Sequence, residues 1–147
     1  MAIKTSGHEK THYTAVLSGC ADGTKLPPML IVKRKTYPKE TIPPGVFVQV
    51  HEKGWMNEDW MAIWFAKIWS RRPVGLLKKP ALLMYDQFHA HSTEKTKRVA
   101  KDLQTHLAFI PGGLTGQLQP LDVSINKPFK ALMKEEWNKW MQKAGNN

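Results

Sequence analysis

Five apolar residues, Ala81 to Tyr85, stop at Asp86 and lie between two stretches of helical pattern. That arrangement limits the fold more than any other feature. A run this short, bounded by helices, suits a buried strand in a sheet that helices cover. Helical spacing begins at Asn57, a good N-cap with Glu58 and Asp59 in the first turn. Trp60, Met61, Trp64, Phe65, Ile68 and Trp69 follow at helical intervals, and their stripe is expected to be core. Behind Tyr85, Ser92 or Thr93 is placed to cap a second helix that runs to about Gln104 with a basic face.

The remaining elements fill in around these. HYTAVLSGCA and LPPMLIVK read as strands joined across Asp22-Gly23, a two-residue hairpin signal. A basic, proline-rich loop over 33–45 leads to a third short strand, VFVQV. The opening is expected to be antiparallel throughout. HLAFI is a further strand, closed by Pro111-Gly112-Gly113, and a last helix spans 123–142. Phe129, Leu132, Met133, Trp137, Trp140 and Met141 form its apolar stripe. The order is β-β-β-α-β-α-β-α: an α/β chain whose antiparallel strands come first and whose strands and helices then alternate. One mixed sheet with helices packed on it is the expected result.

Bulk properties narrow the partner. A chain of 147 residues, 41% hydrophobic with six tryptophans, suits a single domain over 1–147. The formal charge of +10, from 22 basic and 12 acidic side chains, favours a polyanion such as DNA. The competing reading is a basic surface kept for solubility. One cysteine, Cys20, excludes an internal disulfide and fits a reducing compartment. MAIWFAKIW is too short to span a bilayer and is cut by Lys67, so no membrane is expected. The opening MAIKTSGHEK has no apolar signal core.

A carboxylate–metal site needs acids that converge. Asp22 belongs to the hairpin turn, and Asp59 and Asp102 read as solvated helix surface. Asp86 and Asp122 remain, one ending a strand and the other preceding the last helix. Each has a plain alternative, a turn role for Asp86 and an N-cap role for Asp122. Taken as a pair at one rim of a sheet, they suit Mg²⁺, which is commonly held by one or two carboxylates plus substrate phosphates. A second reading groups Asp86, His89 and His91, with His106 to complete a Zn²⁺ or Fe²⁺ set for a hydrolase. In the plainer account, His91 orients Asp86 or caps the next helix.

Longer stretches carry a family likeness. GHEKTHYTAVLSGCADGTKLPPMLIVKRKT, HEKGWMNEDWM, WSRRP, LLMYDQFHAH and IPGGLTGQLQPLDVSINKPFK resemble the DDE catalytic domain of pogo/Tigger-type transposases and of host proteins domesticated from them. The resemblance implies an RNase H-like fold and a nuclear, DNA-binding protein. It implies an Mg²⁺- or Mn²⁺-dependent endonuclease with no small-molecule cofactor, and a homo-oligomer or protein partner in addition to DNA. Asp86 matches the second family carboxylate and Asp122 the third, with His91 as an accessory group. In the family, three acids hold two Mg²⁺ ions. Water first frees a 3′-hydroxyl, which then attacks target DNA.

Lys33, Arg34, Lys35, Arg71, Arg72, Lys78, Lys79, Lys127 and Lys130 are the candidates for phosphate contact, against the alternative of ordinary solvated charge. The family's first acid lies on a strand ahead of the first one here, and Glu9 and Glu52 lack its setting. The expectation is therefore a partial domain without its first strand, binding metal weakly and cleaving weakly or not at all. The alternative is a non-catalytic, nucleic-acid-binding or interaction module.

Overall fold

The computed structural model describes residues 13–39, 41–73, 77, 79–86, 93–119 and 121–144. Strand β1 (Tyr13–Val16) pairs antiparallel with β2 (Met29–Lys33), Tyr13 opposite Val32 and Val16 opposite Met29. The connection turns where the sequence requires it. Gly23 takes φ 87°, which favours glycine, and the Asp22 carboxylate accepts the Thr24 amide at 2.9 Å. That hydrogen bond holds the Asp22 carboxyl below its usual range.

Strand β3 (Phe47–His51) departs from expectation. It pairs with β2 in parallel, Met29 opposite Phe47 and Lys33 opposite His51. A parallel return needs a connection of a dozen or so residues, and the loop from Arg34 to Val46 is long enough to carry the chain back to the starting end.

Helix α1 (Glu58–Lys67) starts where its cap dictates, with Asn57 Oδ1 accepting the Trp60 amide at 2.9 Å. A 3-10 turn, Trp69–Arg71, extends it. The stripe is core as expected: Phe65 and Ile68 are fully enclosed, and Met61, Trp64 and Trp69 are buried with them. Each such side chain contributes about 1.5–3 kcal/mol through apolar burial.

Strands β4 (Ala81–Asp86) and β5 (Thr105–Ile110) form a parallel pair, joined through α2 (Glu94–Asp102). Thr93 caps α2, its Oγ1 accepting the Thr96 amide at 3.2 Å. A short α3 (Thr115–Leu118), a π-helical turn (Leu121–Ile125) and α4 (Asn126–Ala144) complete the order.

The strands hydrogen-bond as two sheets, β1-β2-β3 and β4-β5, rather than the one mixed sheet expected. Among the described residues no strand bridges them, and a shared core holds them together instead. Met29 and Ile31 from the first sheet and Ala81, Leu83 and Leu107 from the second all pack into the cluster around α1.

β2 and β3 run in the same sense as β4 and β5, while β1 runs opposite to them. The His51 ring meets Trp60 edge-on at 6.5 Å, while Arg71 lies over Phe47 at 5.7 Å, so α1 runs antiparallel to β3. At the far end of α1, Trp69 Nε1 donates to Thr105 Oγ1 at 2.8 Å and Arg72 donates to the Lys79 carbonyl at 3.2 Å. The chain therefore enters β4 and β5 at the end where α1 stops. The C-terminal ends of β2, β3, β4 and β5 gather at the opposite rim.

Two apolar surfaces also differ from expectation. β4 buries only one face: Tyr85 is 7% exposed, but Leu82 and Met84 are 60% and 55% exposed. The α4 stripe is open as well, with Leu132, Met133, Trp137 and Trp140 all exposed and the Met141 side chain outside the described part. At the start of α4, Phe129 shares a cleft of about 320 Å³ with Tyr13, Ala15 and Leu17. The helix begins at Asn126 rather than at 123. Pro128 has no N–H to return to Ser124, four residues earlier, and the helical path is wide there. Among the described residues no helix is long and apolar enough to cross a membrane.

Candidate active site

Asp86 is the last residue of β4, half-buried, and in register with Ile110, the last residue of β5. It thus stands at the C-terminal edge of a parallel pair, where ligands bind in open α/β sheets. Beyond Ile110 the chain turns at Pro111-Gly112-Gly113. Leu114 N donates to the Pro111 carbonyl at 3.2 Å, and Gly113 takes φ 83°. The chain then passes through α3 into the π-helical turn that contains Asp122. Asp122 is therefore inside a helical turn, not at the N-cap of α4. π-helical turns recur at functional sites. The Asp122 side chain lies outside the described part of the structure, as do His89, His91 and Lys78.

His106 is removed from this rim. It faces Leu82 in the β4–β5 register, four positions before the level of Asp86. At about 3.3 Å per residue the two levels lie about 13 Å apart, too far to share an ion. The Asp86/His89/His91 set therefore loses its fourth member. Among the described residues no group of three acidic, histidine or cysteine side chains is placed to hold a metal. The described acid at the rim supplies hard oxygen ligands, the kind Mg²⁺ or Mn²⁺ takes, but it is one carboxylate and not a complete set.

The basic candidates separate into two kinds. Lys33, Arg34, Lys35, Arg71, Lys79, Lys127 and Lys130 are exposed. Arg72 is 6% exposed and is committed to the interior. Its guanidinium donates to the Trp69 carbonyl at 3.1 Å and to the Lys79 carbonyl at 3.2 Å, and stacks over the Trp69 ring at 4.6 Å. Adjacent arginines look alike in sequence, and only packing shows that one of them is a structural bracket. Glu52 is exposed, in keeping with a surface role. The segment between β3 and α1 carries part of the family likeness, but Trp55 within it, 64% exposed, was not among the candidate site residues. The signal available was a tryptophan beside a turn glycine, outside any helical stripe.

These features define a mixed α/β domain with a carboxylate at the C-terminal edge of a parallel strand pair. The model of the DDE superfamily endonuclease family matches residues 10–147, and the chain belongs to that family. The chain is 38% identical over 144 residues to the human and to the mouse "Pogo transposable element with KRAB domain". The human "Pogo transposable element with ZNF domain" is 26% identical over 136 residues. These matches take in 98% of the chain for the first two and 92% for the third, but only 24% and 10% of those proteins. The chain thus spans about a quarter of the length of the first two relatives. No solved structure matches it. It is a pogo-type, transposase-derived DDE domain, and its mixed architecture is consistent with an RNase H-like fold.

Proposed function

We propose that this chain is the DNA-handling part of a divalent-metal-dependent phosphodiester cleavage core, incomplete as a catalyst by itself. The observation that carries the reading is Asp86 at the end of β4, at the C-terminal edge of the parallel β4–β5 pair. Asp86 and Asp122 would hold Mg²⁺ or Mn²⁺, with His91 as an accessory. The remaining carboxylate would come from a strand ahead of β1 in a longer protein. When bound, the metal polarises the phosphodiester and lowers the pKa of the attacking water. The exposed lysines and arginines hold the phosphate backbone by displacing its counterions. The printed names of the relatives combine a transposable element with KRAB or ZNF domains, in keeping with a nuclear protein that works on DNA.

Nicking of supercoiled plasmid with Mg²⁺ or Mn²⁺ tests the reading. The chain alone is expected to nick slowly, and Asp86→Ala and Asp122→Ala are each expected to abolish what there is. Nicking that survives Asp86→Ala removes that residue from the site. DNA binding without any cleavage, unchanged by Asp86→Ala, supports the alternative, a non-catalytic binding module.

A further inference from the structure

Trp55 is the most exposed tryptophan among the described residues, yet the backbone around it is firmly held. Gly54 is buried with φ 68°, its amide donates to the His51 carbonyl at 3.0 Å, and its carbonyl accepts Thr14 Oγ1 at 2.8 Å. The Lys53 amide donates to His51 Nδ1 at 3.3 Å. On the other side, Met56 packs against the core and Asn57 caps α1. The fold therefore holds the backbone so that the indole stands in solvent, where it adds nothing to the core. A rigid ring loses little conformational entropy when a ligand covers it.

Its surroundings indicate the ligand. Lys53 shares the loop with Glu52, both exposed, and of the acids that follow in the first turn of α1 Asp59 is paired with Lys95. β2 ends beside β3, Lys33 facing His51, so the segment carrying Lys35 and Tyr37 leaves from the adjacent strand end. Tyr37 is a second exposed ring, and its hydroxyl donates to Gln49 Oε1 on β3 at 2.5 Å, which steadies it. Exposed aromatic rings among lysines form the surface that binds single-stranded nucleic acid. A ring stacks on a base only where the base face is free, and within a duplex both faces are covered.

We infer that Trp55 and Tyr37 form a stacking platform for unpaired DNA bases, with Lys33, Lys35 and Lys53 on the neighbouring phosphates. This rests on the reading that the partner is nucleic acid, and it specifies the form of that substrate: a strand with unpaired bases. An exposed aromatic pair could also meet a protein, but the +10 charge and the flanking lysines favour DNA.

The test is metal-free fluorescence anisotropy on a labelled single strand and on the same sequence as a blunt duplex. Trp55→Ala is expected to weaken single-strand binding about tenfold and duplex binding less than about twofold. Trp55→Phe is expected to stay within about threefold of the original chain. The salt slope is expected to be unchanged in Trp55→Ala, since no charge is lost, and shallower in Lys35→Ala/Lys53→Ala. A 2-aminopurine base in the strand should be quenched by the original chain and not by Trp55→Ala. Unfolding curves of each variant confirm that the fold is intact. Unchanged single-strand affinity in Trp55→Ala overturns the platform. Equal losses on both DNAs overturn it too. Because no metal is present, loss of nicking in the plasmid assay with Trp55-dependent binding intact would sink the cleavage reading alone.

Discussion

Adjacent residues of one type divide between structure and function at Arg71 and Arg72. Removing the Arg72 side chain takes the donor from the Lys79 carbonyl and one of two donors from the Trp69 carbonyl, which keeps the Arg72 amide, and opens a gap over Trp69. Arg72→Ala is expected to cost about 2–3 kcal/mol in urea unfolding, from lost hydrogen bonds and packing. Arg71→Ala is expected to leave stability within about 1 kcal/mol, the scale of its contact with Phe47, and to reduce the salt slope of DNA binding by about one. Equal stability losses in the two variants would refute the assignment. Tyr85 gives a prediction in pH. Burial pushes its phenol up to about 12, against about 10 in the unfolded chain. The folded state thus holds the proton more tightly. Its contribution is fully present below about pH 10 and is lost as pH rises toward about 12. Urea midpoints across that window are expected to fall less steeply in Tyr85→Phe.

Elements begin and end where local chemistry directs, and their caps are the cheapest place to test this. Asn57→Ala and Thr93→Ala each remove a hydrogen bond to an amide of the first turn, and each is expected to cost about 1 kcal/mol. Asn57→Asp is expected to retain most of that stability, as its carboxylate accepts the same bond; a loss equal to that of Asn57→Ala would count against capping. α4 shows that amphipathicity alone does not bury a helix. Trp137→Gln and Trp140→Gln are expected to change stability by no more than about 0.5 kcal/mol each, because both rings are exposed. Phe65→Ala, in the middle of the core, is expected to cost about 3–5 kcal/mol. A large loss from either α4 variant would mean that the stripe is covered in solution.

The two sheets hang on one helix at the scale of the molecule. α1 fills the space between them, so its aromatic stripe sets how the β4–β5 pair stands relative to β1-β2-β3. The same helix, running back from the end of β3 to the start of β4, turns four strand ends toward one rim. That rim carries Asp86, the pinned loop of Trp55 and the basic segment after β2. The apolar outer face at Leu82 and Met84 and the open stripe of α4 are the exposed surfaces this arrangement leaves. Strands apolar on both faces belong to sheets covered on both sides.

What the sequence settled was local. Periodicity identified α1, α2, β4 and β5, side-chain oxygens at Asn57 and at Ser92 or Thr93 marked the helix starts, and Asp22-Gly23 marked the turn. Asp86 could be placed at a strand end because an apolar run stops there. These follow from interactions within a few residues, which a chain states directly. Tertiary structure alone decided that β3 runs parallel to β2, that the strands divide into two sheets, that His106 lies a strand's length from Asp86, and that Arg72 turns inward beside an exposed Arg71. Each of those depends on which surfaces meet across long separations in sequence, and local pattern carries no record of that choice.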